Sequence, residues 1–234
     1  EFKGNSNKEK YQLGLFNGEN KRVFDILENR KSKTLKEYLS VLKNKPEIVV
    51  IDMWEPYYNV VKSLWKDVIV VADKFHYVRQ ISWALRDVRT RIQEKNKHGK
   101  RIKKYWKLFA KNSNELTEKQ RFRLEELLNY SDELKEAYRY KEIFDKTVLK
   151  STQEKSHENF DIWLDYLQES NLSEIIKLRN TFENWYCEVV SSFYYEFTNG
   201  VAEGINNKIK VIKRQSYGIK KFSNFRNLIM LRIS

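Results

Sequence analysis

Apolar and polar positions along this chain change their period several times, and each change marks an element. Tyr11-Gln12-Leu13-Gly14-Leu15-Phe16 and Arg22-Val23-Phe24-Asp25-Ile26-Leu27 are strand-like, the second with period-2 alternation. Asn17-Gly18 between them signals a hairpin, with Glu19 and Asn20 available to lengthen its loop. Leu35, Tyr38, Leu39 and Leu42 then follow helical spacing, with Ser32 or Thr34 as the cap and Pro46 as the stop. The run Ile48 to Trp54 is continuously apolar apart from Asp52 and predicts a strand buried on both faces. A helix with Pro56 early and Tyr57, Val60, Val61 and Leu64 inside leads to a second such run, Val68 to Asp73. This is a β-α-β unit, which predicts parallel strands and a right-handed crossover.

A long helix is predicted from Phe75 to about Asn96, because Ile81, Leu85, Val88 and Ile92 keep one stripe. Arg79, Arg86, Arg89 and Arg91 project away from most of that stripe. From His98-Gly99 to about Thr198 the pattern is helical and charged, with no strand signal. Capping-box pairs recur there: Thr117 with Gln120, Ser151 with Glu154, and Asn171 with Glu174. Trp163, Trp185 and the group Phe193-Tyr194-Tyr195 fit a core. The organisation expected is therefore an α/β core of residues 1–96 and 198–234 interrupted by an all-helical insertion, residues 97–197.

The last third of the pattern is a capped amphipathic helix, Thr198 to Gly218. Asn199 suits its N-cap and Gly218 its stop. At about 100° per residue, Asn207, Lys210 and Arg214 fall within about 40° of Glu203. Val201, Ile205, Ile209 and Ile212 fall on the other side. Gly204 sits mid-helix, where it costs about 1 kcal/mol against Ala, and so predicts close approach of a neighbour. The tail, Phe222 to Ser234, predicts a closing helix with Phe225 and Ile229 inward and Arg226 and Arg232 outward.

Charge changes this picture from a fold to a partner. The 234 residues carry a formal net charge of +13. From Gly200 to Ser234 there are eight Lys/Arg and one acid. Such an excess points to a polyanion. Lys100, Arg101, Lys103 and Lys104 beside Tyr105 and Trp106 suit nucleic acid through phosphate contact and stacking. A helix burying Trp106, Leu108 and Phe109 under solvated lysines fits the same residues. The lone Cys187 excludes an internal disulfide and a cysteine zinc site within the chain. There is no signal peptide and no apolar run long enough to span a membrane, so nothing is expected to cross one, and with the lone cysteine a cytoplasmic, reducing compartment is expected.

The candidate chemistry rests on three acids. Asp52 and Asp73 end the two apolar runs, and ligands gather at the carboxyl ends of strands in open α/β sheets. Capping of the next helix is the other role open to each. Glu203 heads the amide and cation strip, where pairing with a lysine and holding a metal both fit. Carboxylates converging from separate elements are what two-metal phosphodiester chemistry needs, and hard oxygen ligands select Mg²⁺ or Mn²⁺. A Gly-rich phosphate loop, a Gly-x-Ser-x-Gly elbow and a paired-histidine zinc motif are absent from the sequence, and His98 and His157 are isolated.

Three stretches carry a resemblance: I-D-M-W-E-P-Y (Ile51 to Tyr57), V-A-D-K-F-H (Val71 to His76) and E-G-I-N-N-K-I-K-V-I-K-R-Q-S-Y-G (Glu203 to Gly218). With the closing F-x-N-F-R, Phe222 to Arg226, they resemble the DDE transposases of bacterial insertion sequences, specifically the ISL-three family. The resemblance spans nearly the whole chain. It implies an RNase H-like mixed sheet flanked by helices, with a helical insertion before the last catalytic helix. It implies a two-ion Mg²⁺ or Mn²⁺ site that cuts and joins double-stranded DNA at transposon ends, in a homodimer or higher oligomer. Asp52 matches the family's second catalytic aspartate and Glu203 its catalytic glutamate, so both are the implied metal ligands. Asp73 and His76 match its D-x-x-H motif, with supporting or DNA-positioning roles. Asn207, Lys208, Lys210, Lys213, Arg214, Arg79, Lys103 and Lys104 are the DNA-binding candidates.

The family's first catalytic aspartate lies in a pattern like G-I-D-E-F, and this chain opens on Glu1-Phe2, as if cut just after it. The family's upstream zinc-binding and helix-turn-helix segments are also absent from the sequence. Two other readings therefore stand beside the transposase: an RNase H-type nuclease or resolvase, and a catalytically incomplete DNA-binding fragment.

Overall fold

The computed structural model describes residues 2–3, 11–195, 197, 200–216, 218–219 and 221–233. The fold is mixed α/β and mostly helical. The chain divides into two compact units, Glu1–Asp73 with Glu196–Ser234, and Lys74–Tyr195. The helix that starts at Lys74 packs its apolar stripe on later helices of the second unit.

In the first unit, β1 (Phe2–Lys3), β2 (Tyr11–Asn17) and β3 (Arg22–Leu27) form an antiparallel sheet in that order. The β2–β3 hairpin pairs Leu13 with Leu27 and Asn17 with Arg22, with a register shift between Leu15 and Phe16. Its loop is the lengthened form. The Asn17 side-chain oxygen accepts from the backbone N–H of Glu19 and Asn20, and Lys21 takes φ +56°. Next come α1 (Ser32–Ser40), β4 (Ile48–Ile51), α2 (Glu55–Leu64) and β5 (Ile69–Ala72). No side chain caps α1, whose N-cap is Lys31, so the Ser32 and Thr34 cap is not made. β4 and β5 pair in parallel, as the β-α-β pattern predicts. β4 is only half-buried up to Ile51, because among the described residues it pairs with β5 alone. The described strands thus form two small sheets, one antiparallel and one parallel.

The core of this unit joins distant sequence. Helix α11 (Gly200–Gln215) turns Ile205, Ile209 and Ile212 onto Val23 and Ile26 of β3. Helix α12 (Phe222–Ile233) adds Phe225 and Ile229. Burying each such side chain contributes about 1.5–3 kcal/mol. Gly218 takes φ +89° after α11, the left-handed stop that glycine suits. The Asn199 cap lies outside the described residues. Arg226 does not point outward. It holds Asp25 with two bonds of 2.6 and 2.8 Å, because the Asp25 carboxylate is buried in the hairpin and needs a counter-charge. Burial pushes the Asp25 carboxyl up. Hydrogen bonds from Arg226, the Ile26 N–H and Tyr38 outweigh that and leave it below the ordinary carboxylate range.

The second unit is helical: α3 (Lys74–Lys95), α4 (Gly99–Lys104), α5 (Trp106–Ala110), a 3₁₀ turn (Ser113–Glu115), α6 (Glu118–Leu128), α7 (Asp132–Ile143), a π turn (Phe144–Val148), α8 (Gln153–Gln168), α9 (Ser173–Asn184) and α10 (Tyr186–Tyr194). Ile81, Leu85, Val88 and Ile92 are buried along α3, as their spacing predicts. Around them Tyr77, Phe144, Phe160, Trp163 and Phe182 interlock, largely edge to face. Trp163 is fully buried, but Trp185, Phe193 and Tyr195 are half-buried and Tyr194 exposed, since they lie at the two ends of α10. Arg91 is tied to Glu133 and Glu174, both at 2.6 Å. Thr117 and Gln120 form the expected capping box. Ser151 and Asn171 do not cap, because α8 and α9 take Thr152 and Leu172 as their N-caps.

A charged knot is buried in this unit. Lys141 Nζ donates to Glu142 and Asp145 and to the Lys111 carbonyl, all at 3.0 Å. Burial raises the Glu142 carboxyl, but bonds from the Ser113 N–H, Lys141 and Lys146 outweigh it and bring it down from 4.5 to about 2. A depressed acid stabilises the fold above its unfolded value and stops doing so as pH falls through the folded one. Stability measured by urea unfolding is therefore expected to decline between about pH 4.5 and pH 2, and Glu142→Gln to lose most of that dependence. An unchanged acid limb in the variant would show that the charge of Glu142 is not its source. Arg226→Ala, which strands a buried carboxylate, is expected to cost on the order of 2 kcal/mol, less than a fully buried pair because Arg226 is 38% exposed.

Candidate metal centre and nucleic-acid interface

The parallel pairing of β4 and β5 builds the site. Its last register pair is Ile51 with Ala72. One residue further on, Asp52 and Asp73 therefore stand side by side at the carboxyl ends of neighbouring strands, and the Asp73 N–H donates to the Ile51 carbonyl at 3.0 Å. Register partners in a parallel pair turn their side chains to the same face. The chain then enters α3 at once, and its first turn presents His76 three residues after Asp73. Ligand atoms of Asp52, Asp73 and His76 lie within 4.8 Å of one another. The place of His76 beside Asp73 is set by a single turn of local chain.

Burial separates the two aspartates. Asp73 is 1% exposed, whereas Asp52 and His76 are half-buried. Two carboxylates brought together in this way gain from a positive charge nearby. Helix capping does not account for Asp52. The N-cap of α2 is Trp54, without a side-chain cap bond, and the Trp54 N–H turns back to the Asp52 carbonyl. Two carboxylate oxygens and one imidazole nitrogen, from a strand pair and a helix start, are a donor set that fits a divalent ion. The oxygens suit Mg²⁺ or Mn²⁺, and the nitrogen suits Mn²⁺ better than Mg²⁺.

Glu203 is not part of this cluster. It is exposed on α11, without an ion pair among the described residues. Its strip is as the period predicts: Asn207, Lys208, Lys210 and Arg214 are exposed, Lys213 is half-buried, and Lys210 donates to the Asn207 side chain at 3.4 Å. The close approach expected at Gly204 is not made by the chain itself, since a Cβ built there meets nothing within 4 Å. Lys103 and Lys104 are exposed on α4. Beside them Leu108 and Phe109 are buried, but Trp106 is 49% exposed with Lys107 over its ring. The short α5 turns Trp106 to solvent while its other face is buried, which overturns the buried-tryptophan alternative. His98 stacks on Tyr130 and His157 bonds Tyr186 and Tyr194, so neither joins a cluster of ligands.

Two features escaped sequence reasoning. Trp54, two residues past Asp52, is exposed near the Arg30 guanidinium, which also lies over Tyr11. On α3, Arg79 lies over the rings of Phe75 and Trp83. Their spacing of four residues was a signal available in the sequence.

Comparison with known proteins agrees with the geometry. The chain matches the ISL-three DDE family, described as transposase, over residues 1–229. It is 25% identical over 179 residues to the transposase for insertion sequence element IS1001 of Bordetella parapertussis, a match covering 74% of this chain and 44% of that protein. A second match, 38% identical over 52 residues, is to an ATP-dependent protease of Lactococcus lactis subsp. lactis. It covers 22% of the chain and 17% of that protein, too little to carry an activity across. No solved structure matches. The chain belongs to the ISL-three family of DDE transposases. It spans under half the length of the IS1001 transposase. No helix among the described residues is long and apolar enough to cross a membrane.

If the cluster takes a divalent ion, Mn²⁺ is expected to raise the Tm of the protein, and Asp52→Asn to weaken that effect by about ten- to a hundredfold in Mn²⁺ concentration. A melting curve indifferent to millimolar Mn²⁺ in the wild type would sink the metal assignment.

Proposed function

We propose that this chain is the catalytic domain of a transposase, an RNase H-like core that cleaves DNA at insertion-sequence ends and joins the freed strand to target DNA. The observation that carries the proposal is the parallel register that sets Asp52 beside Asp73 with His76 one turn away. Membership of the ISL-three family supports it.

In this reading Asp52, Asp73 and His76 hold a divalent ion, Mg²⁺ or Mn²⁺, and Glu203 joins Asp52 as a ligand of a two-ion site. Bound there, such ions activate the attacking oxygen and offset charge on the leaving one. Asp73, buried and tied by its backbone to β4, fixes the place of the cluster. Half-buried Asp52 faces the substrate side. Asn207, Lys208, Lys210, Lys213 and Arg214 line one face of α11 and grip phosphates. Arg79, Lys103 and Lys104 do so from the helical unit. The site works in a homodimer or higher oligomer on double-stranded DNA, in the cytoplasm at the nucleoid.

A second reading has one observation in its favour. Glu203 is exposed and outside the cluster, as in a DNA-binding piece that does not cut. Products discriminate. With the protein as its gene encodes it, and DNA carrying the ends that flank that gene, joined strands are expected in Mg²⁺ or Mn²⁺. Cut ends alone would favour a nuclease, and salt-sensitive binding without cleavage the non-catalytic reading. Asp52→Asn and Glu203→Gln are each expected to lower strand transfer more than about a hundredfold. Wild-type transfer by Glu203→Gln would remove Glu203 from the site. Lys210→Ala is expected to reduce the salt slope of DNA binding by about one phosphate's worth, roughly 0.9 log per log of salt.

A further inference from the structure

Helix α3 has two faces of opposite character. At about 100° per residue, Tyr77, Ile81, Ala84, Leu85, Val88 and Ile92 fall within an arc of about 100°, and all are buried. Phe75, Arg79, Trp83 and Arg86 fall within about 80° on the other side of the helix. Phe75 is 55% and Trp83 37% exposed. The Arg79 guanidinium lies 5.4 Å from the Phe75 centroid and 4.7 Å from that of Trp83, and that of Arg86 lies 5.7 Å from Trp83. The outward face therefore carries ring, cation, ring and cation in turn. Arg86 also bonds the neighbouring Asp87 at 3.0 Å. The stripe begins beside the metal cluster, since the Phe75 ring meets His76 edge-on at 5.8 Å.

The packing of the opposite face into the core leaves these two large rings in solvent, where no described core residue covers them. Cation–π contact keeps the rings ordered, and a base that stacks on one of them takes the arginine's place on its face or uses the face left open. Alternating rings and arginines suit one class of ligand well: bases stacked on rings, with phosphates beside the cations. Spacing selects the form of nucleic acid. The two rings, Phe75 and Trp83, are eight residues apart, a rise of about 12 Å along the helix. Stacked bases in a duplex strand step by about 3.4 Å. In a duplex both faces of each base are covered by its stacked neighbours, so a strand whose bases stack on these two rings must be unstacked and unpaired. The net charge of +13 supplies the attraction.

We infer that the Phe75–Arg79–Trp83–Arg86 face of α3 is a stacking platform for unpaired nucleotides of a DNA strand next to the Asp52–Asp73–His76 cluster. The inference rests on the transposase reading for its biological ligand, but not for its test. A platform of this kind would hold the strand that separates from its partner near the cut.

The test uses the 234-residue chain with a labelled single-stranded oligonucleotide of about a dozen nucleotides, within the usual site size, and the same sequence as a duplex, followed by fluorescence anisotropy at one salt concentration. Trp83→Ala is expected to weaken single-strand binding about tenfold, Phe75→Ala with Trp83→Ala further, and Trp83→Phe little, with duplex binding unchanged in all three. Both rings are exposed and on the face away from the core, and far-ultraviolet dichroism checks that the variants fold. Equal single-strand affinity in the double variant would overturn the platform. So would an equal loss for duplex and single strand, which marks a general electrostatic face. A wild-type dimer in sedimentation that the double variant breaks would also overturn it, because a second copy then covers the rings. Asp52→Asn separates the two proposals: it is expected to abolish cleavage and leave stacking intact. Active Asp52→Asn with stacking lost in Trp83→Ala would refute the catalytic reading alone.

Discussion

Parallel strands cannot be joined by a tight turn. The chain must leave one strand, cross over a face and return, and the crossover here is α2. Once Ile48 to Ile51 pair with Ile69 to Ala72, the next residue on each strand has no freedom to be elsewhere. That constraint sets two carboxylates side by side, one of them nearly sealed from solvent. Burying a carboxylate carries a heavy desolvation cost unless it is paired, and two carboxylates together add to it. Adjacent acids held by backbone register therefore bring together the donor oxygens that a cation site needs.

The ends of the first unit are held by a different means. Helix α11 buries three isoleucines on the hairpin, and α12 closes over them. Asp25 on β3 and Arg226 on α12 then lock the two parts with a bidentate pair across 201 positions of sequence. Tyr38 shares the same carboxylate, and its own hydroxyl is pushed up to about 12 by burial first and by Asp25 next. The closing F-x-N-F-R stretch thus has a structural account within this chain: Phe225 fills the core and Arg226 neutralises the hairpin's buried acid. The same packing leaves the opposite side of α11, with Glu203 and its amides and cations, in solvent.

What was legible in the sequence followed from period. The hairpin, the parallel pair, the α3 stripe and the two faces of α11 each repeat a pattern often enough to fix an element. Single local signals did worse. Ser151 and Asn171 stand before acids in the right spacing, but α8 and α9 begin one residue later, and such pairs occur by chance in a charged chain. Trp106 was open to a buried reading by residue type, but its turn exposes it. Arg226 was placed outward because its partner lies on a strand at the other end of the chain, and no spacing rule links the two. The clustering of His76 with the aspartates was visible only as a motif. It needed the register to become a distance.

Helix α3 shows why the site and the surface beside it are hard to separate. Its first turn begins right after Asp73 and carries His76. Its apolar stripe must meet the aromatic core around Phe144 and Trp163, which fixes the rotation of the helix within its own unit. With that satisfied, Phe75 and Trp83 have only the solvent face left. Moving either ring inward would turn Ile81 out of the core. Exposure of the two rings is therefore a consequence of how the core is built on this helix, and the arginines between them give that exposed face a chemistry complementary to a polyanion that also carries flat rings.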